Sequence, residues 1–82
     1  MWRYQAVSRT VEDETICSFI EVYFDGNGRL ESWTEDAEIA PIGDSPADLI
    51  ETLHKMETDA KNWGVVEYAD LHVGFEFQAP KA

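Results

Sequence analysis

The sequence predicts a two-layer α+β domain of order β-β-β-α-β, with an antiparallel sheet packed on one helix. Three observations carry this expectation. Two runs near the N-terminus alternate residue by residue, with the period of two that a half-buried strand requires. One central stretch places Leu49, Leu53, Met56, Ala60 and Trp63 at steps of four, three, four and three, which is a single helical stripe. A third alternating run, Leu71, Val73, Phe75 and Phe77, closes the chain. One helix can cover one face of a small sheet, which gives the two layers.

The elements follow in order. Trp2 to Thr10 reads as a strand with Trp2, Tyr4 and Ala6 on one face and Arg3, Gln5, Val7 and Arg9 on the other. Glu12-Asp13-Glu14 makes a charged turn. Thr15 to Asp25 is rich in β-branched and aromatic residues, as a strand should be. Its faces are Ile16, Ser18, Ile20, Val22 and Phe24 against Cys17, Phe19, Glu21, Tyr23 and Asp25. Asn27-Gly28 tolerates positive φ at both positions, so a type I′ hairpin is expected, returning through Arg29 to about Thr34. Glu35 to Gly43 extends that strand with a bulge or bend.

Ser45 is a natural N-cap, Pro46 suits the first helical position and Asp48 stands three residues past the cap. Glu51 with Lys55 and Glu57 with Lys61 have the favourable i, i+4 order. Gly64 ends the helix in the left-handed region. Val65 to Ala69 connects to a last strand over 71–77, whose opposite face carries His72, Gly74, Glu76 and Gln78. The stripe from Leu49 to Trp63 is expected to pack on Ile16, Ile20, Val22, Phe24 and the Leu71–Phe77 run. Residues 1–78 form one compact domain and 79–82 a frayed tail.

Charge bounds the function. The 82 residues hold 17 acidic and 6 basic side chains, a net charge of −11. Six scattered cations make no phosphate-binding patch, so neither direct nucleic-acid binding nor an anionic membrane surface is expected. A hydrophobic content of 44%, with 12% aromatic, argues for a folded chain. One cysteine, Cys17, allows no internal disulfide. No apolar run is long enough for a membrane span and the N-terminus lacks a signal-peptide core, so a cytoplasmic location is expected. The acidity is uneven. Residues 31–59 hold nine acidic residues against Lys55 alone, a net of −8.

Catalytic constellations are weak. Asp25-Gly26-Asn27-Gly28 fails as an EF-hand loop, because its fifth, sixth and twelfth positions are Arg29, Leu30 and Asp36. His54 and His72 lack local ligand spacing. Cys17 lies within a strand, not at a helix N-terminus where its thiolate would be favoured. Glu21, Asp25, Glu31 and Glu35 could face one another across two strands and hold Mg²⁺, which gives the alternative of a nuclease-like enzyme. No catalytic, cofactor or metal site is expected otherwise. The helix leaves one sheet face bare, with Phe19, Tyr23 and, in one register, Trp33 upon it, and exposed apolar patches mark interfaces.

The stretch from Ile39 to Met56, following a strand pair, resembles the N-terminal domain of HicB-type antitoxins. Gly43-Asp44-Ser45 and Asp48-Leu49 match that family's junction between strand and acidic first helical turn. The resemblance implies a partial RNase H-like fold and a small basic toxin of the double-stranded-RNA-binding type as partner. Residues 1–60 also resemble a set of short uncharacterised bacterial proteins, through Met1-Trp2, Glu21-Val22-Tyr23, Asp25, Gly28, Trp33 and Thr34. The Pro- and Gly-containing segment that follows the second strand in the HicB-type family is replaced here by Gly26-Asn27-Gly28.

The expected function is therefore a small acidic, non-catalytic protein-interaction module, antitoxin-like, that binds a basic protein. The candidate acidic surface is Glu35, Asp36, Glu38, Asp48, Glu51 and Asp59. The candidate sheet face is Phe19, Tyr23 and Trp33. A homodimer of structural role, formed through that face or an edge strand, is the further alternative.

Overall fold

A computed structural model describes residues 1–34 and 40–78. The fold is α+β, with a mixed four-stranded sheet and one helix. Strands β1 (Trp2–Val11), β2 (Glu14–Phe24) and β3 (Leu30–Trp33) precede helix α1 (Pro46–Trp63), and β4 (Val65–Glu67) follows it directly. The sheet order is β3-β2-β1-β4.

The long β1-β2 hairpin closes on two residues, Glu12 and Asp13, both with positive φ (50° and 68°), as a type I′ turn demands. The Asn27-Gly28 turn is of a different kind from the one expected. Only Gly28 has positive φ, the Gly28 amide donates to the Asp25 carbonyl at 3.1 Å, and the Asp25 amide to the Arg29 carbonyl at 2.9 Å. That is a three-residue loop with a glycine at its closing position. The register then slips after Tyr23, pairing Tyr23 with Ser32 but Phe24 with Leu30, so Glu31 bulges out.

The largest correction concerns the last strand. The segment read as a connection, Val65–Glu67, is the fourth strand, and it runs parallel to β1, so the sheet is mixed. Residues 71–78 form no strand. The chain makes a short 3-10 turn at Tyr68–Asp70 and a second turn over His72–Phe75, with Gly74 at φ 90°. It touches the sheet edge at one residue, where the Gly74 amide donates to the Leu30 carbonyl (2.7 Å) and the Leu30 amide to the Phe75 carbonyl (3.1 Å). β3 is four residues long, too short an edge for a full ladder.

The alternating apolar residues reach the core all the same. Val7, Ile20, Val22, Phe24, Leu30 and Leu71 form one buried cluster, and Val66, Tyr68, Phe75, Phe77 and Trp33 pack against it. Burying each such side chain contributes about 1.5–3 kcal/mol. The core face is thus sealed by the segment after the helix, not by the helix stripe.

The helix instead lies along β1. Met56 is its buried residue, while Leu49 and Leu53 stay 37% and 46% exposed. The expected stripe therefore docks only through its C-terminal half. The helix begins as expected, with the Asp48 amide donating to the Ser45 hydroxyl at 3.1 Å and Pro46 at the first helical position. Both expected i, i+4 pairs form, Glu57–Lys61 at 2.8 Å and Glu51–Lys55 loosely at 3.8 Å. The chain leaves at Gly64 (φ 66°, ψ −163°), which is not the left-handed helical region but an extended mirror-image one that only glycine enters readily.

The strand extension expected over Glu35–Gly43 falls partly outside the described residues, and Ala40–Gly43 carries no strand. The tail expected at 79–82 also lies outside them. Among the described residues no helix is long and apolar enough to cross a membrane.

Candidate functional site

The β1-β2 register decides which side chains share the open face. Trp2 pairs with Tyr23, Tyr4 with Glu21, Ala6 with Phe19 and Ser8 with Cys17. Directly opposed residues point the same way, so these eight line one face and the core cluster the other. Phe19 and Tyr23 therefore stand together, as the sequence led us to expect. Trp33 does not join them. It pairs with Val22 and packs on the core cluster, because the hairpin register sets β3 that way round.

Apart from Ala6, which is buried, this face is aromatic and partly open to solvent. Trp2 is 47% and Tyr23 38% exposed, Cys17 is exposed, and Tyr4 and Phe19 are half-buried. The Trp2 and Tyr4 rings meet edge to face, with centroids 5.1 Å apart. The Tyr23 hydroxyl donates to the Glu21 carboxylate at 2.7 Å, and that bond holds its phenol above the ordinary value. Burial first, then the charges of Glu21 and Asp59, raises the Tyr4 phenol as well. Negative potential thus bears on the aromatic rings from two elements.

Asp59 has a structural task. Its Oδ2 accepts the Tyr4 amide at 3.0 Å, at a point of the β1 edge that β4, pairing only with Ala6–Ser8, does not reach. Of the other acidic candidates, Asp48 and Glu51 are exposed on the helix, and Glu35, Asp36 and Glu38 lie outside the described residues.

On the far side of β1 the sequence hid a half-buried cation. Arg3 sits with its guanidinium 4.2 Å from the Trp63 ring centroid, 4.7 Å from Phe77 and 5.3 Å from Phe24. It donates to the Tyr4 carbonyl and to the Gln5 side chain, and its Nη2 is buried without a partner. Desolvation, partly opposed by Asp59, pushes its pKa down to about 10, so it remains charged at neutral pH. Gln5, fully buried, passes the network on through its Nε2, to the Ala6 carbonyl at 2.8 Å and the Gly64 carbonyl at 3.0 Å. Trp2, Tyr4 and Arg3 alternate across one strand start, the one signal in the sequence that could have marked them.

The carboxylates considered for Mg²⁺ do not converge. Asp25 holds the hairpin loop, its Oδ1 accepting the Asn27 and Arg29 amides at 2.8 and 3.0 Å. Those bonds hold its carboxyl below the ordinary value. Glu21 engages Tyr23 on the open face, Glu31 is the bulged residue, and Glu35 lies outside the described residues. Among the described residues no three His, Cys, Asp or Glu side chains gather as a metal site. His54 and His72 are exposed on separate elements.

Compared with known proteins, the chain matches no protein-family model, no curated protein and no solved structure.

Proposed function

We propose that this chain is a small acidic, non-catalytic protein-interaction module whose partner is a basic protein. One observation carries the reading: the exposed Trp2–Tyr23 pair across β1 and β2, with Tyr23 hydrogen-bonded to the Glu21 carboxylate and Trp2 sharing a groove with Asp59. Exposed aromatic side chains on a rigid strand are favoured anchors, since they bring large contact area at little entropy cost. The net charge of −11 chooses the sign of the partner and speeds encounter with it.

The resemblance to HicB-type antitoxins narrows the partner to a small basic toxin of the double-stranded-RNA-binding type. In that version the acidic module covers the toxin's nucleic-acid surface. The test is co-expression with any small basic protein encoded beside this one, followed by size-exclusion chromatography. A 1:1 complex that weakens as salt rises supports the reading. Separate elution at low salt, or the absence of such a neighbouring frame, overturns the antitoxin version.

A further inference from the structure

A groove of about 550 Å³ opens between the start of β1 and one flank of α1. Trp2 and Tyr4 form its strand wall, and Glu51, Thr58 and Asp59 its helix wall. The size falls in the range of specific ligand sites.

We infer that this groove receives an arginine side chain of the basic partner, an inference that rests on the function proposed above. The Trp2 and Tyr4 ring planes stand at 84°, so they make a corner with two ring walls. A cation over such faces is drawn by their quadrupoles. Asp59 spends Oδ2 on the Tyr4 amide, which fixes the carboxylate and leaves its second oxygen for another donor. Glu51 stands one helical flank away, held only loosely by Lys55 at 3.8 Å, with both side chains largely exposed. An incoming guanidinium can replace that contact without stripping a buried pair.

The groove's own arginine does not occupy this place. Arg3 turns its guanidinium toward Trp63 and Phe77, on the other side of the strand. Arg3, His54 and Lys55 line the groove together with Glu51 and Asp59, so it is not a well of bare negative charge. It selects by shape as well as sign. A planar guanidinium stacks on a ring while its fork meets a carboxylate, which a lysine ammonium cannot do at once. The chain uses the same pairing internally, with Arg3 on Trp63 at 4.2 Å and Arg9 on Tyr68 at 3.9 Å.

The experiment is a titration of the full chain with three capped tripeptides, Gly-Arg-Gly, Gly-Lys-Gly and Gly-citrulline-Gly, followed by amide and indole NMR shifts. The arginine peptide is expected to move the Trp2 indole and the Tyr4 and Thr58 amides. Citrulline, neutral and of the same shape, binds about tenfold more weakly, and lysine falls between. Trp2→Leu weakens the arginine peptide about tenfold, and Glu51→Gln, at an exposed site that leaves the fold intact, weakens it about threefold. Equal binding of arginine and citrulline overturns the inference, as do shifts confined to other surfaces. If the basic partner binds while the peptide leaves the groove unmoved, the groove assignment falls and the partner reading stands. If neither binds, both fall.

Discussion

The two faces of the β1-β2 hairpin are made from alternate residues of the same strands, yet they end in opposite states. One presents Val7, Ile20 and Val22, all fully buried beneath Leu71, Phe75 and Phe77. The other presents Trp2, Tyr4, Phe19 and Tyr23, with Trp2 and Tyr23 left substantially open. Both faces are apolar enough to be core. What differs is the cover: the irregular segment after β4 folds onto the first, and the helix leans along β1 instead of lying across the second. The open side also carries polar handles, the Tyr23 hydroxyl on Glu21 among them, that make exposure tolerable. Exposure there is a property of the architecture and is available to a partner.

Stability measurements can break this contrast. Leu30→Ala removes a fully buried side chain from the sealed face and should cost about 2–5 kcal/mol. Tyr23→Ala, on the open face, should stay within about 0.5–1 kcal/mol. Urea denaturation of both variants decides it. Equal losses would show that the second face is packed as tightly as the first.

The next effect tests which segment supplies the cover. Phe77→Ala should cost about 2 kcal/mol, since Phe77 packs on the core cluster and meets the Phe24 and Phe75 rings at 5.8 and 4.8 Å. Leu53→Ala, on the exposed helix flank, should cost less than about 1 kcal/mol. A larger loss at Leu53 than at Phe77 would restore the helix as the second layer.

Gln5 joins the two regions, because it points into the sealed face and reaches back to the end of the helix. Gln5→Leu leaves the Gly64 carbonyl without its Gln5 donor and takes from Arg3 one of its two acceptors, the Tyr4 carbonyl remaining, so a loss of about 1–3 kcal/mol is expected. Hydrogen exchange should quicken at Val65–Glu67, where β4 leaves the helix. Unchanged exchange there would argue that Gln5 merely fills space.

The parts of this contrast visible in the sequence were those set by local chemistry. The Ser45 cap, the Pro46 start, both i, i+4 pairs and the two long strands follow from neighbouring residues alone. The bare face with Phe19 and Tyr23 followed from alternation. Trp33 escaped because its face depends on a one-residue bulge at Glu31, and a slip of one residue reverses every side chain beyond it. The last strand escaped because Leu71–Phe77 has strand periodicity but only a four-residue edge to pair with, and a turn at Gly74. Val65–Glu67 has just three residues, too few for any periodicity to show. The Arg3 cage gathers Phe24, Trp63 and Phe77 from three distant stretches, a contact no local pattern encodes.

The smallest effect concerns the turn that carries β2 into β3 and so sets which residues reach each face. Backbone amides, Arg29 first and then Asn27, hold the Asp25 carboxyl below its ordinary value of 3.8. The folded state therefore favours the charged form. That contribution is complete above the ordinary value and is lost as pH falls through the lower folded one. Asp25→Asn removes the titration while keeping a side-chain oxygen for the same turn. The thermal midpoint of the unaltered chain should exceed that of the variant at about pH 6, and the gap should close as pH drops to about 2. A gap that stays constant over that range would mean that the turn gains nothing from the charge, and that its register rests on Gly28 and the backbone bonds alone.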